Sequence, residues 1–112
     1  MTIMNKTFEN ERVELRGNAY HNCTFKHCEL VYDGDRSPTF DDNKFIDSVF
    51  VFTGSALRTL YFLGNLYHSG GGGREVVEKT LADIRNRNMH GHEVRTIKPH
   101  TVDSSLAGQV LQ

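Results

Sequence analysis

From Leu15 onward a large apolar residue returns at every fifth position: Leu15, Tyr20, Phe25, Leu30, Phe40, Phe45 and Phe50, with Asp35 the one interruption. A helix repeats every 3.6 residues and a strand every two, so neither generates this spacing. Seven of eight positions on one register are large and apolar in a chain that is 38% hydrophobic, which makes the period a constraint on the fold. Two residues ahead of these stand Val13, Asn18, Cys23, Cys28, Asp33, Pro38, Asn43 and Ser48, several of them small enough to share a narrow interior. Polar pairs such as Lys26-His27 and Asp41-Asp42 lie between and are expected to face water.

Over residues 13–53 this pattern resembles the pentapeptide-repeat family, whose right-handed quadrilateral β-helix takes four such units to a coil. The resemblance implies two coils, with Leu15, Tyr20, Phe25, Leu30, Phe40, Phe45 and Phe50 inward at the centre and Cys23, Cys28 and Ser48 as small inward neighbours. Asp35 and Pro38 break the pattern, so 33–37 reads as a loop interrupting the coil, and Asn18 and Asn43 are larger than the family's usual residue. A small antiparallel sheet fits the same stretch: Cys28-Leu30-Tyr32 and Ile46-Ser48-Phe50-Phe52 alternate around a turn at Asp33-Gly34-Asp35.

After residue 53 the period changes. Gly54-Ser55 offers a helix start, and Ala56, Leu57, Leu60, Leu63 and Tyr67 then fall on one helical stripe, predicting a helix over 55–68. The glycines of 69–73 end it. A second helix is predicted over 74–87 with Val77, Leu81 and Ile84 inward, followed by a polar tail over 88–112. The fold class expected is α+β in a single domain of 112 residues. So short a chain leaves much of its surface uncovered, which makes a homo-oligomer, with the tail against a neighbouring subunit, the expected state.

Candidate chemistry is sparse. His21, Cys23, His27 and Cys28 are zinc-ligand types, but their spacing is no recognised knuckle and no second pair follows at finger distance, so the cysteines read as core. Asp33-Gly34-Asp35 starts like a calcium loop, yet Pro38 and Lys44 occupy the positions that need glycine and glutamate. His90-Gly91-His92-Glu93 has no nucleophile or orienting partner near it in sequence. No metal, cofactor or catalytic residue is therefore expected, and the chain reads as a non-enzyme.

The segment Ser69-Gly70-Gly71-Gly72-Gly73-Arg74 is the candidate binding element. Backbone N–H groups of Gly72 and Gly73 at the start of a helix, with the charge of Arg74, suit a phosphate or carboxylate. It lacks a P-loop ending and follows a helix, and Glu75 and Glu78 compete for the same dipole, so a flexible hinge is the alternative reading. Tyr32, Tyr61, Arg36 and Arg95 complete the candidate ligand-binding set, as exposed aromatics and cations that could converge at a subunit cleft.

Thirteen basic and fourteen acidic residues leave a net charge of -1, which gives no argument for a nucleic-acid polymer as partner. No run approaches the roughly 18 apolar residues of a membrane span, and the start Met1-Thr2-Ile3-Met4-Asn5-Lys6 shows no apolar signal core, so a cytoplasmic location is expected. In size and layout, a β-rich front with two helices behind, the chain resembles phage anti-defence sponge proteins of the Thoeris anti-defence kind. That resemblance implies sequestration, without cleavage, of a small anionic ligand such as a signalling nucleotide. The alternative is a structural or protein-interaction module of pentapeptide-repeat type with no small ligand.

Overall fold

The structure, a computed structural model, describes residues 1–96 together with the backbone of two short strands, Thr101–Val102 and Val110–Leu111, which pair antiparallel. The chain divides into two compact units, Met1–Leu60 and Tyr61–Gln112. Its architecture is α+β: nine short strands in three parallel sheets, followed by two helices.

The strands come in threes. β1 (Thr2–Met4), β2 (Thr7–Glu9) and β3 (Arg12–Glu14) make a first round. β4 (Ala19–His21), β5 (Thr24–Lys26) and β6 (Glu29–Tyr32) make a second, and β7 (Thr39–Asp41), β8 (Lys44–Ile46) and β9 (Val49–Phe52) a third. Each strand pairs in parallel with its counterpart one round later, giving the sheets β1-β4-β7, β2-β5-β8 and β3-β6-β9. This stacking decides against the antiparallel hairpin, because Leu30 pairs with Phe50 in a parallel register.

The expected start and number of rounds are corrected. The winding begins at Thr2, not near Val13, and there are three rounds rather than two. Ile3 aligns with Tyr20 and Phe40, Phe8 with Phe25 and Phe45, and Val13 with Leu30 and Phe50. Val13 is thus a central inward residue and not a small neighbour of Leu15. The physical reason is a phase slip. Thr2 meets Ala19 after 17 residues, whereas Ala19 meets Thr39 after 20, because the connection closing the first round is three residues shorter.

The interior explains the pattern. Tyr20, Phe25, Leu30, Leu15, Cys23 and Cys28 are each at most 2% exposed, and Phe8 and Val13 join the same cluster. Phe8, Phe25 and Phe45 stack at centroid separations of 4.9 and 5.4 Å, and Tyr20 stacks on Phe40 at 5.5 Å. The strand spacing brings aligned rings into the offset contact that aromatic pairs favour.

Six of the seven three-residue strands of the coil end because the next residue turns a corner; after β3 the turn comes one residue later, at Arg16. Asn5, Asn10, Asn22, His27, Asp42 and Asp47 follow their strands with φ between 46 and 57°. Asn and Asp visit this left-handed region more readily than other side-chain-bearing residues. The corners stack as well: Asn22 Nδ2 donates to Asn5 Oδ1 at 2.9 Å.

On the remaining side, 33–38 forms the loop foreseen between the second and third rounds. There the first turn of helix α1 (Gly54–Tyr67) is seated: Ala56 N donates to Asp33 O at 3.3 Å and Ser55 Oγ to the same carbonyl at 3.2 Å. Gly34, at φ 90°, is required at this contact, since a Cβ there would lie 2.5 Å from Ala56 N.

In the second unit, helix α2 (Gly73–Arg85) buries a charge where an apolar stripe was expected. Asp83 is 4% exposed and paired with Lys79, whereas Leu81 and Ile84, expected inward, are half exposed. The following segment explains the difference. Asn88 N donates to Asp83 O at 2.9 Å and the Thr80 and Thr96 hydroxyls lie 2.7 Å apart, so the segment after α2 is tied back at Asn88 and Thr96 to the side that carries Thr80 and Asp83. The expectation that the tail packs on a neighbouring subunit falls, for 97–100, 103–109 and 112, outside the described residues.

Candidate functional site

Two places within the first unit follow from its winding. The first is the open end of the third round. Phe40, Phe45 and Phe50 occupy the same inward column positions as Tyr20, Phe25 and Leu30, which are at most 1% exposed, yet they remain 38, 41 and 43% exposed. Their rings form one cluster, with centroids 5.4 Å apart for Phe40 and Phe45 and 5.3 Å for Phe45 and Phe50. Ile46 and Val49 are exposed as well, but in register with Lys26 and Glu29 they stand on the outer wall of the coil and not at its end.

The opposite end differs. In the first round Phe8 is 6% and Val13 9% exposed, and the Lys6 ammonium lies 4.6 Å from the Phe8 ring centroid, a cation resting on the outermost aromatic of its column. The coil is closed where the chain starts and open where it leaves for α1.

The second place is a groove of about 320 Å³ lined by Tyr32, Gly34, Phe52, Ser55, Ala56, Thr59 and Leu60. Its hydroxyls are already donors to backbone: Tyr32 Oη to Asp35 O at 3.2 Å, Ser55 Oγ to Asp33 O, and Thr59 Oγ1 to Ser55 O at 3.0 Å. Each hydroxyl therefore meets an incoming molecule as an acceptor. The groove is apolar with acceptors at its wall and carries no cation.

Of the residues singled out from sequence, Tyr32 lines this groove, and Arg36 is exposed nearby in sequence with its Cβ against the bare face of Gly17. Gly72, Gly73, Arg74, Tyr61 and Arg95 belong to the second unit. There Gly72 starts α2 at φ 95° with no side chain capping the first turn. Arg74 lies 5.3 Å over the Tyr67 ring and 3.5 Å from Glu78 Oε1. Arg95 pairs with Glu93 at 3.1 Å, and Tyr61 is 66% exposed. Both arginines are engaged by glutamates of their own unit, and the aromatic beside Arg74 is Tyr67.

The thiols that suggested metal chemistry are packing groups. Cys23 Sγ faces Ile3 O and His21 O at 3.6 and 3.5 Å, Cys28 Sγ faces Lys26 O at 3.3 Å, and both are buried and free. His27 stands outward at a corner, and His21 Nδ1 lies 3.4 Å from Asp41 Oδ2. Among the described residues no three His, Cys, Asp or Glu side chains are grouped to hold a metal ion, and no helix is long and apolar enough to cross a membrane.

Sequence reasoning missed the open end because Phe40, Phe45 and Phe50 carry the same signal as the buried ring residues. A period announces which way a side chain points. Whether another round covers it depends on where the repeat stops, and Gly54, where α1 begins, is the residue that could have flagged this. Comparison with known proteins adds no relative: no family model, no curated protein and no solved structure matches the chain.

Proposed function

We propose that this chain is a non-catalytic binding protein that works as an assembly of its own copies and holds a small anionic ligand, such as a signalling nucleotide. The observation that carries the assembly is the open end of the third round, where three clustered phenylalanines about 40% exposed end a column that is otherwise dry. Exposed apolar clusters of this kind mark contact surfaces. The β part is read as a short coil of pentapeptide-repeat type, a reading supported by the five-residue spacing and by the parallel stacking of three rounds.

The ligand class is supported by the entrance to α2. Gly72 leaves the first turn of the helix without a side-chain cap, the Gly73 N–H donates to Gly70 O at 3.1 Å, and the Arg74 guanidinium rests over the Tyr67 ring, so a helix start, a cation and an aromatic face stand together. Glu78 is the internal competitor for Arg74, and an anion would have to displace it. Native mass spectrometry of protein purified from cells, followed by denaturation and identification of whatever is released, tests both parts. An oligomer releasing an intact anionic molecule, with release lost in Arg74→Ala but the oligomer kept, supports the reading. Unchanged binding in Arg74→Ala removes the α2 entrance as the site.

The second reading, an interaction module with no small ligand, rests on the same open end taken alone. It predicts an oligomer that is empty as isolated and inert toward a panel of nucleotides.

A further inference from the structure

We infer that the assembly is a closed pair of chains, formed when the third rounds of two copies meet end to end about a two-fold axis through β8. The inference rests on the oligomeric half of the reading above and is independent of any ligand. The occupant of the open end is a second copy because the two ends of the coil are unlike. Head-to-tail stacking would need an open first round to receive the third, but Phe8 and Val13 are closed off and Lys6 covers the Phe8 ring. Only third round against third round places two open aromatic ends together, and a contact between identical patches closes after two subunits instead of growing into a filament.

The chemistry of the face agrees. Phe40, Phe45 and Phe50 present carbon alone, so two such faces carry no buried charge to leave unpaired. The Phe8–Phe25–Phe45 stack, stepping at 4.9 and 5.4 Å, stops at an uncovered ring that a second Phe45 would cover at the same spacing. Phe40, Phe45 and Phe50 together leave roughly 250 Å² exposed per copy, so a pair buries about 500 Å² of aromatic surface, and the unpaired strand edges supply the rest of the contact. The outer edges of β7, β8 and β9 lack a neighbouring strand, as those of β1, β2 and β3 do, so strand pairing is available at this end while the exposed rings select it.

The position of the axis follows from the order of the sides. Turning one copy over reverses the sense in which β7, β8 and β9 run, so the side carrying the 33–38 loop can overlie itself only if β8 overlies β8. Phe45 then meets Phe45 of the second copy, and Phe40 meets its Phe50. In an antiparallel strand pair the directly opposed Cα atoms at the axis lie about 4.5–5.5 Å apart, within the roughly 4.4–6.8 Å that a disulfide spans.

Sedimentation velocity on the full chain over a range of concentrations is the test, combined with two variants. Wild type is expected at twice the chain mass, and Phe45→Glu at the chain mass with an unchanged far-UV spectrum, its dissociation constant raised at least about tenfold. Phe45→Cys is expected to form a cross-linked pair under mild oxidation, without interference from Cys23 and Cys28, which are buried. If Phe45→Glu does not fold, the Phe45→Cys cross-link alone decides. A pair that persists in folded Phe45→Glu, a Phe45→Cys chain that does not cross-link, or a wild type larger than two chains overturns the end-to-end contact and leaves the oligomeric reading standing. A wild type that stays monomeric at every concentration overturns both.

Discussion

Replacing Gly34 with alanine should separate α1 from the coil. Gly34 sits at φ 90°, a conformation that costs a residue with a side chain about 1–2 kcal/mol. The added methyl would also meet the Ser55 side chain and lie 2.5 Å from Ala56 N, a backbone atom that cannot swing aside. Relieving the clash means giving up the bonds of Ala56 N and Ser55 Oγ to Asp33 O, at about 1 kcal/mol each. The total is on the order of 3 kcal/mol. At a urea dependence of about 1.5 kcal/mol/M this moves the unfolding midpoint down by about 2 M. Gly64→Ala is the control: it lies inside α1 with no atom within 4 Å of the new Cβ, and should gain up to about 1 kcal/mol from helix propensity. Urea titration followed by circular dichroism reads both. If Gly34→Ala unfolds at the wild-type midpoint, α1 is not seated on the 33–38 loop and the argument fails.

Phe25→Ala removes the central ring of the stack, fully buried between Phe8 and Phe45, and should cost about 3–5 kcal/mol, seen as a lost or strongly lowered thermal transition. Asn43→Ala should cost about 1–3 kcal/mol, because the Asn43 side chain accepts from Cys23 N at 2.8 Å and donates to Tyr20 O at 2.9 Å; a change below about 0.5 kcal/mol in the same titration would contradict that bridging role. Alkylation of native protein with iodoacetamide should leave Cys23 and Cys28 unmodified, with both reacting once urea unfolds the chain, and rapid native labelling would contradict their place in the core.

The direction of the central side chains was legible in the sequence because one inward residue per side is a physical requirement of the winding, and Tyr20, Phe25 and Leu30 obey it without exception. The first round escaped because Ile3, Phe8 and Val13 share a spacing of five but stand three residues out of phase with the rest. A connection between rounds can change length without disturbing the sheets, so the period breaks where the fold does not. The exposure of Leu81 and Ile84 was hidden for a different reason: the buried side of α2 is set by the Asp83–Lys79 pair and by the segment tied back at Asn88 and Thr96, and a hydrophobic stripe says nothing of either. The candidate site was legible only as residue types. Gly72 and Arg74 were visible, but the engagement of Arg74 by Glu78 and Tyr67 depends on which turn each occupies.

The stacking of rounds also sets an order of events for the growing chain. Every strand of the first two rounds pairs with one 17 or 20 residues further along, so no sheet contact of the coil waits for a distant part of the sequence. The first round has no partner strand until Ala19–Tyr32 has been made, a delay of a second or two at usual rates of synthesis. From then on each new round is laid on a finished one, and the middle round, covered above and below, is the earliest point at which a dry interior exists. Folding of this half is therefore expected to follow synthesis from its first residue to its last, with the aromatic end the final surface to emerge.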